Sequence, residues 1–274
     1  MKNVLLTDRV QRIIRRAEQK AAAANAVVTP IHLLASCFLE KTGVLGEIFL
    51  KCDIDIQSWK QTLPSEHNSL QHPFVNTAIT KEVLVVFNQS IQYMRKYNQI
   101  YLNEGHLLKA LMKTNVVDHF LTEENREMIL SLGTTSRDMI THLGNYTFPQ
   151  LQSPMIRRVT QADFQILTSF VSNHFSHEWA DTIKNGFLKE QPTIYIAVDE
   201  KEIVGFAAYD VYQNKKCYFG PMGVTKRRNR IGYQLLHHCL RDMKKIGYEY
   251  AIIGGAGPIE FYEKACNAVV IPAT

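Results

Sequence analysis

Hydrophobic and polar residues follow two different periods along the chain, and the change comes near residues 145–154. Before this stretch, apolar residues recur three or four positions apart, which predicts amphipathic helices. After it, short runs rich in β-branched and aromatic residues alternate with helical patterns, which predicts an α/β domain with a mixed, largely antiparallel sheet. Residues 146–154 carry two prolines and little periodicity, so we assign them as a linker between domains at 1–145 and 155–274.

The helical half contains an internal repeat. Thr7 predicts an N-cap for one helix, and Thr29-Pro30 predicts the start of the next. About 73 residues later, Ile79–Val83 and Leu102–Leu111 repeat the two patterns. We therefore predict two copies of a helix-rich unit, about 6–70 and 79–143, which bury their apolar faces against each other in a pseudo-symmetric, all-helical domain.

Two histidines occupy corresponding positions in these copies. His32 and His106 each lie in the first turn of a predicted helix beside two leucines. We expect each ring to cap the helix or pack, and not to bind a ligand. The adjacent pair His237-His238 cannot share a metal ion as an i, i+4 pair would, because neighbours on a helix point about 100° apart.

This arrangement resembles the N-terminal repeat domain of the Clp-type AAA+ unfoldases over about residues 1–145. The resemblance rests on Thr7–Ala17, Val28–Leu34 and Gly43–Leu45 in the first copy and on Glu104–Leu108 in the second. In that family the domain binds adaptors and protein substrates, so the resemblance implies a protein partner. The sequence contains no GxxxxGK[ST], and we expect no ATP-driven motor in this polypeptide.

In the second half, an apolar strand, a basic turn and an amphipathic helix follow one another between Cys217 and Leu236. A helix N-terminus presents unpaired N–H groups and a partial positive charge, which favour an anion. Four of the five residues from Lys226 to Arg230 are cations, and Gly232 allows close approach of the backbone. The pattern therefore predicts a site for a phosphorylated cofactor.

The same half resembles the GNAT superfamily of acyl-CoA-dependent N-acetyltransferases over about residues 155–274. The segment Arg227–Gly232 is similar to the family's phosphate motif, Gln/Arg-x-x-Gly-x-Gly/Ala, and Phe261–Lys264 follows the strand Ala251–Gly255 as in the family. The resemblances together imply an α + α/β protein. In it, an all-helical pseudo-symmetric repeat domain precedes a GNAT-type mixed-sheet acyl-CoA transferase domain.

The resemblance also implies site residues. Acetyl-CoA would be the co-substrate, without a metal ion, and an amine of unknown identity would be the acceptor. Tyr262 would act as general acid toward the departing thiolate. The general base is left open among Glu178, Asp210 and Glu260. The expected cofactor-binding residues are Met222, Gly223 and Val224 for the pantetheine arm and Arg227, Arg228, Asn229, Arg230, Ile231 and Gly232 for the pyrophosphate.

The chain departs from the family pattern in two places. Arg230 stands where the phosphate motif has its middle glycine. The family usually has one more strand after the last helix than this sequence supplies, and that strand helps to wall the acceptor site. A partner subunit in a homodimer or the N-terminal domain would supply the wall, or the acceptor site would be open.

Composition indicates the class of protein, the partners and the compartment that we expect. A hydrophobic fraction of 46% and a charged fraction of 21% are those of an ordinary soluble globular protein. Net charge is only +5 and the basic cluster lacks interleaved aromatic residues, so we expect no nucleic-acid partner. Five cysteines without CxxC spacing indicate reduced thiols, and neither a signal peptide nor a membrane span is evident. We therefore expect a cytoplasmic protein, and the family resemblances imply a bacterial one.

Two functions fit these observations. The first is an acetyl-CoA-dependent N-acetyltransferase whose Clp-like domain recruits a protein. The alternative is a non-catalytic adaptor or regulator of Clp-type proteolysis that keeps the acetyltransferase fold and senses acetyl-CoA.

Overall fold

The computed structural model describes residues 4–57, 59, 69–97, 99–151, 154–213, 215–226 and 230–273. The chain divides into two compact units. The first contains the residues up to Ser136, with Gly257–Glu260 and the segment from Pro272. The second contains Arg137–Ala256 and Phe261–Ile271.

The first unit is helical, as its apolar periodicity predicts. Among its described residues, the short strands β1 (Leu5–Leu6) and β2 (Tyr101–Leu102) pair in parallel. One hydrophobic cluster contains buried residues of both sequence copies, including Val10 and Ile13 from the first and Val83 and Phe87 from the second. The elements are β1 (Leu5–Leu6), α1 (Asp8–Ala23), α2 (Pro30–Leu39), α3 (Gly43–Lys51), α4 (Lys81–Lys96), β2 (Tyr101–Leu102), α5 (Glu104–Lys113) and α6 (Glu123–Gly133).

The two copies begin their helices in the same way. Helices α1 and α4 both have 16 residues, and the side chains of Thr7 and Thr80 accept hydrogen bonds from backbone N–H groups in their first turns. At the starts of α2 and α5, the ring Nδ1 of His32 accepts from Thr29 N at 3.1 Å, and that of His106 accepts from Asn103 N at 3.2 Å. Both histidines are therefore capping residues, as predicted.

The second unit is built on a seven-stranded sheet in the order β4-β5-β6-β7-β8-β3-β9. Strands β7 and β8 are parallel, and the other neighbours are antiparallel. The predicted mixed, largely antiparallel sheet is thus confirmed. Its strands are β3 (Arg137–His142), β4 (Ile156–Arg158), β5 (Ile194–Asp199), β6 (Glu202–Tyr209), β7 (Tyr218–Val224), β8 (Tyr250–Ala256) and β9 (Val269–Val270). Its helices are α7 (Phe164–His174), α8 (His177–Phe187), α9 (Ile231–Ile246) and, from Phe261 on, α10 (Ile259–Cys266).

Strand β3 differs from the sequence-based expectation. It lies inside the range assigned to the helical domain and to its second repeat, so the border between the units falls after Ser136 and not at 145–154. Met139 of this strand pairs with Ile253 of β8 on one side and with Val270 of β9 on the other. Strand β3, which precedes the rest of the unit in sequence, therefore lies beside β9. The family pattern predicts one more strand there than the sequence after the last helix supplies.

Candidate active site

The candidate active site lies where the parallel strands β7 and β8 separate. Strands β7 and β8 pair only at Tyr218↔Ile252 and Phe219↔Ile253, and no further pairs follow toward their C-terminal ends. A register shift between β6 and β7 adds a bulge in β7 just past Phe219. The two strands therefore part after their second pair, which leaves an opening at this point in the sheet.

Three of the predicted cofactor-binding residues lie on one edge of this opening. Met222, Gly223 and Val224 pair with β6 on their other side, opposite Ala207, Phe206 and Gly205. Toward β8 these three residues have no strand partner, so their backbone groups on that edge are available to a ligand. A Cβ atom built on Gly223 would lie 2.4 Å from the Phe175 ring, so only glycine fits under this ring.

Helix α9 follows β7 in the chain after residues 225–230. Arg230 is its N-cap, in the left-handed region at φ 54° and ψ 34°, and makes no capping hydrogen bond with its side chain. Its guanidinium carbon lies 4.1 Å from the centre of the Tyr233 ring. A Cβ atom on Gly232 would lie 3.7 Å from Val224 Cγ2 and 4.0 Å from the Phe261 ring, which is ordinary contact. Ile231 is buried, and Arg227, Arg228 and Asn229 lie outside the described residues.

Arg230 thus keeps the backbone conformation for which glycine is best suited. Non-glycine residues adopt this region at a cost of about 1–2 kcal/mol. Arg230 therefore combines a cationic side chain with a positive φ at the position of the family's glycine.

Tyr262 of α10 lies beside the point where β7 and β8 part. Its ring packs edge-to-face against that of Phe219, with centroids 6.3 Å apart, and against Phe261 at 4.9 Å. The side chain is 6% exposed, and burial raises the pKa of its phenol above the ordinary value. Its hydroxyl makes no hydrogen bond to another part of the chain that the structure describes. A buried, protonated phenol of this kind can donate to a bound group.

Two of the three candidate bases are engaged elsewhere. Asp210 accepts hydrogen bonds from the Tyr248 hydroxyl at 2.7 Å and from Tyr218 N at 3.4 Å. Glu260 belongs to the first unit, where its carboxylate accepts from the backbone N–H groups of Asp8 and Arg9 at 3.1 and 3.2 Å. Glu178 is exposed.

A fourth carboxylate, which the sequence analysis did not consider, lies at the opening itself. Oδ1 of Asp138 on β3 accepts hydrogen bonds from Gly255 N at 2.8 Å and from the Tyr218 hydroxyl at 3.4 Å. Buried residues alternate along this strand at Arg137, Met139 and Thr141, but two of the three are polar, so no apolar alternation in the sequence points to the strand or its aspartate.

In the described ranges, no group of three or more His, Cys, Asp or Glu side chains comes together in a way that could hold a metal ion. No helix within those same ranges has the length and apolar character needed to cross a membrane.

Comparison with known proteins assigns both halves of the sequence. The family described as the Clp repeat (R) N-terminal domain matches residues 5–124. The acetyltransferase (GNAT) family matches residues 156–268.

Individual relatives are distant. The chaperone protein ClpB of Rhodopirellula baltica is 22% identical over 139 residues, which are 50% of this chain and 15% of that protein. The N-terminal domain of the chaperone ClpD from Arabidopsis thaliana is 18% identical, with a TM-score of 0.37 over 47% of this chain and 91% of that one. A GCN5-related N-acetyltransferase from Sphaerobacter thermophilus is 13% identical, with a TM-score of 0.40 over 97% of this chain and 94% of that one.

The two family matches agree with the resemblances inferred from the motifs and with the helical and mixed-sheet units. The chain combines a Clp repeat N-terminal domain with a domain of the GNAT acetyltransferase family.

Proposed function

We propose that this protein is an acetyl-CoA-dependent N-acetyltransferase. The observation that carries the proposal is the opening between β7 and β8. It is bordered by the unpaired edge of Met222–Val224, by the uncapped first turn of α9 and by the buried phenol of Tyr262. These are, in order, the groups needed to bind an amide-containing arm, to bind a phosphate and to donate a proton to a thiolate.

The residues present fit coenzyme A. The free edge of Met222, Gly223 and Val224 can exchange backbone hydrogen bonds with the amides of the pantetheine arm, as an added peptide strand would. The N–H groups of the first turn of α9, including those of Ile231 and Gly232, can bind the pyrophosphate, with Arg230 and the neighbouring Arg227, Arg228 and Asn229 adding charge or donors. Charge-assisted hydrogen bonds of about 1.5–3 kcal/mol each, less the cost of binding, correspond to a micromolar Kd.

Tyr262 supplies the proton that the reaction needs. The neutral amine nitrogen forms a bond to the acetyl carbonyl carbon as the C–S bond breaks. The Tyr262 hydroxyl gives its proton to the departing thiolate sulfur, and the proton lost from nitrogen returns through water to the phenolate. Because burial raises the pKa of this phenol, the hydroxyl is protonated before each turnover.

The first unit gives the enzyme a second function in this proposal. Clp repeat domains of the related unfoldases bind proteins, so we propose that this unit recruits a protein partner. The acceptor would then be an amine on that protein or a small molecule brought to the same complex.

The proposal is tested by two measurements on the full chain. Calorimetric titration with acetyl-CoA is expected to give a micromolar Kd, and release of free CoA is then followed with a panel of primary amines. Absence of acetyl-CoA binding would overturn the proposal. Binding without turnover on any amine would instead favour a regulator that senses acetyl-CoA.

A further inference from the structure

We propose that Asp138 binds the ammonium group of the acceptor, so that the enzyme acts on aliphatic amines that carry a positive charge. This inference rests on the proposed acetyl transfer and names the acceptor class and a residue that selects it. Neither the phosphate motif nor the α10 motif contains this residue, because it lies on β3, outside the family match at 156–268.

The position of Asp138 carries the first part of the inference. Its carboxylate is hydrogen-bonded to Gly255 N and to the Tyr218 hydroxyl. Tyr218 is in the first of the two pairs that join β7 to β8, and Gly255 lies two residues past the last of them. The carboxylate is therefore held where the strands part.

Asp138 and Tyr262 approach this point from opposite faces of the sheet. Tyr218 and Phe219 are consecutive residues of a strand, so their side chains lie on opposite faces. Phe219 contacts Tyr262, whereas the Tyr218 ring covers Gly254, on which a Cβ atom would lie 2.2 Å from the ring. An acceptor held by Asp138 would therefore meet the thioester from the face opposite the proton donor.

The second observation that supports the inference is the charge of Asp138. The side chain is half-buried, and both of its hydrogen-bond donors are neutral and bind Oδ1. In the described part of the chain, no Lys, Arg or His forms an ion pair with it. Four other aspartates of the same unit each have such a partner: Asp163 pairs with Arg157, Asp181 with Lys184, Asp199 with Lys226 and Asp242 with Arg158. A half-buried carboxylate without a cation can be stabilised by one that a ligand supplies.

Tyr218 holds the carboxylate in place for this task. Burial, with the charge of Asp138 as a second cause, raises the pKa of the Tyr218 phenol to about 12, so its hydroxyl remains a donor at neutral pH. The ring stacks on Tyr212 with centroids 5.4 Å apart, and Lys215 Nζ lies 5.3 Å from the centre of the Tyr218 ring. The phenol thus orients Oδ1 toward the protein and leaves Oδ2 for the acceptor.

The chemistry that follows is a simple proton transfer before acetyl transfer. A lysine-type ammonium, with a pKa of about 10.4, must lose one proton to become a nucleophile. Asp138 binds the ammonium and accepts that proton, directly or through one water, and releases it to solvent. The freed amine then forms the C–N bond while Tyr262 protonates the thiolate.

The test uses the full chain and compares Asp138→Asn with the wild type. Asparagine keeps an acceptor oxygen for Gly255 N and removes the charge. The matched control is Asp181→Asn, which alters an exposed aspartate of α8. The probes are cadaverine and a lysine peptide, which are cationic at pH 7, and p-anisidine, which is largely neutral. Calorimetry with acetyl-CoA and thermal unfolding are measured on each variant.

We expect kcat/KM for the cationic amines to fall by about 100-fold or more in Asp138→Asn, as is typical when one member of a desolvated charge pair is lost. The rate with p-anisidine and the Kd for acetyl-CoA should be nearly unchanged, and Asp138→Glu should recover part of the loss. If Asp138→Asn behaves like Asp181→Asn, or loses both amine classes equally, the inference is overturned. A wild-type chain that binds acetyl-CoA but neither acetylates nor binds any cationic amine also overturns it, whereas lack of acetyl-CoA binding overturns the proposed function itself.

Discussion

Arg9 and Glu104 form an ion pair in the interior of the helical unit, with Nη1 of Arg9 2.5 Å from Oε1 of Glu104 and side chains that are 3% and 4% exposed. The two residues come from different sequence copies, since Arg9 is in α1 and Glu104 opens α5. Arg9 also donates through Nε to the Thr42 hydroxyl at 3.0 Å. The pair therefore joins the two copies by a buried charge contact.

Glu104→Gln is expected to lower the free energy of unfolding by about 3–5 kcal/mol, because it removes one charge of a buried ion pair. The double change Arg9→Met with Glu104→Leu should cost much less, since neither charge is then buried. Urea unfolding measures both, with Arg15→Met, an exposed arginine of the same helix, as control. A loss below about 1 kcal/mol in Glu104→Gln would contradict this role for the pair.

The capping ring of His106 predicts a dependence of stability on pH. Burial, with the nearby Lys109 as a second cause, lowers the pKa of His106 to about 4 from its ordinary 6.5. The unfolded chain therefore binds the proton first as the pH falls. The contribution of His106 is complete above about pH 6.5 and is lost progressively between about pH 6.5 and 4, by about 3 kcal/mol in total.

His106→Gln is the matched variant, because a Gln side chain can accept from Asn103 N as in a capping box but does not titrate. Between pH 7 and pH 4, the unfolding free energy of the wild type should fall by about 3 kcal/mol more than that of the variant. A difference that stays constant over this range would show that the ring does not titrate as expected.

Tyr262→Phe tests the proton donor. We expect turnover to fall by about 10²- to 10⁴-fold, because the thiolate loses its positioned acid. The Kd for acetyl-CoA should hardly change, since phenylalanine keeps the ring contacts with Phe219 and Phe261. Steady-state kinetics and calorimetry separate the two effects, and Tyr250→Phe, an exposed tyrosine on β8, is the control. An unaltered rate would remove Tyr262 from this role.

Arg230 combines a positive φ with a cation beside the proposed pyrophosphate site, and two substitutions separate these properties. Arg230→Ala and Arg230→Gly both remove the guanidinium, but only glycine relieves the left-handed backbone. We expect the glycine variant to be more stable than the alanine variant by about 1 kcal/mol in urea unfolding. Both variants should bind acetyl-CoA more weakly than the wild type, and to a similar extent. Unchanged affinity in both would exclude a contribution of this charge to binding.

Features set by neighbouring residues could be predicted from the sequence. The Thr7 cap, the role of His32 and His106 in the first turns, and the glycine end of α9 at Gly247 all follow from local hydrogen bonding and φ preferences.

Features that depend on pairing between distant segments of the chain could not be predicted from the sequence. Strand β3 has six residues, and its partners Tyr250–Ala256 and Val269–Val270 come more than a hundred residues later. Nothing local distinguishes such a segment from the end of the second helical copy. The surroundings of Asp138 could not be predicted either, because its contacts with Tyr218 and Gly255 exist only when the sheet has formed.

The place of β3 in the sheet also sets a condition on biosynthesis. This strand leaves the ribosome before any other strand of its sheet, and its neighbours β8 and β9 are among the last. At ordinary rates of translation the delay is on the order of ten seconds. During that time its edges are without their partners, and an unpaired strand edge is a template on which another chain can pair.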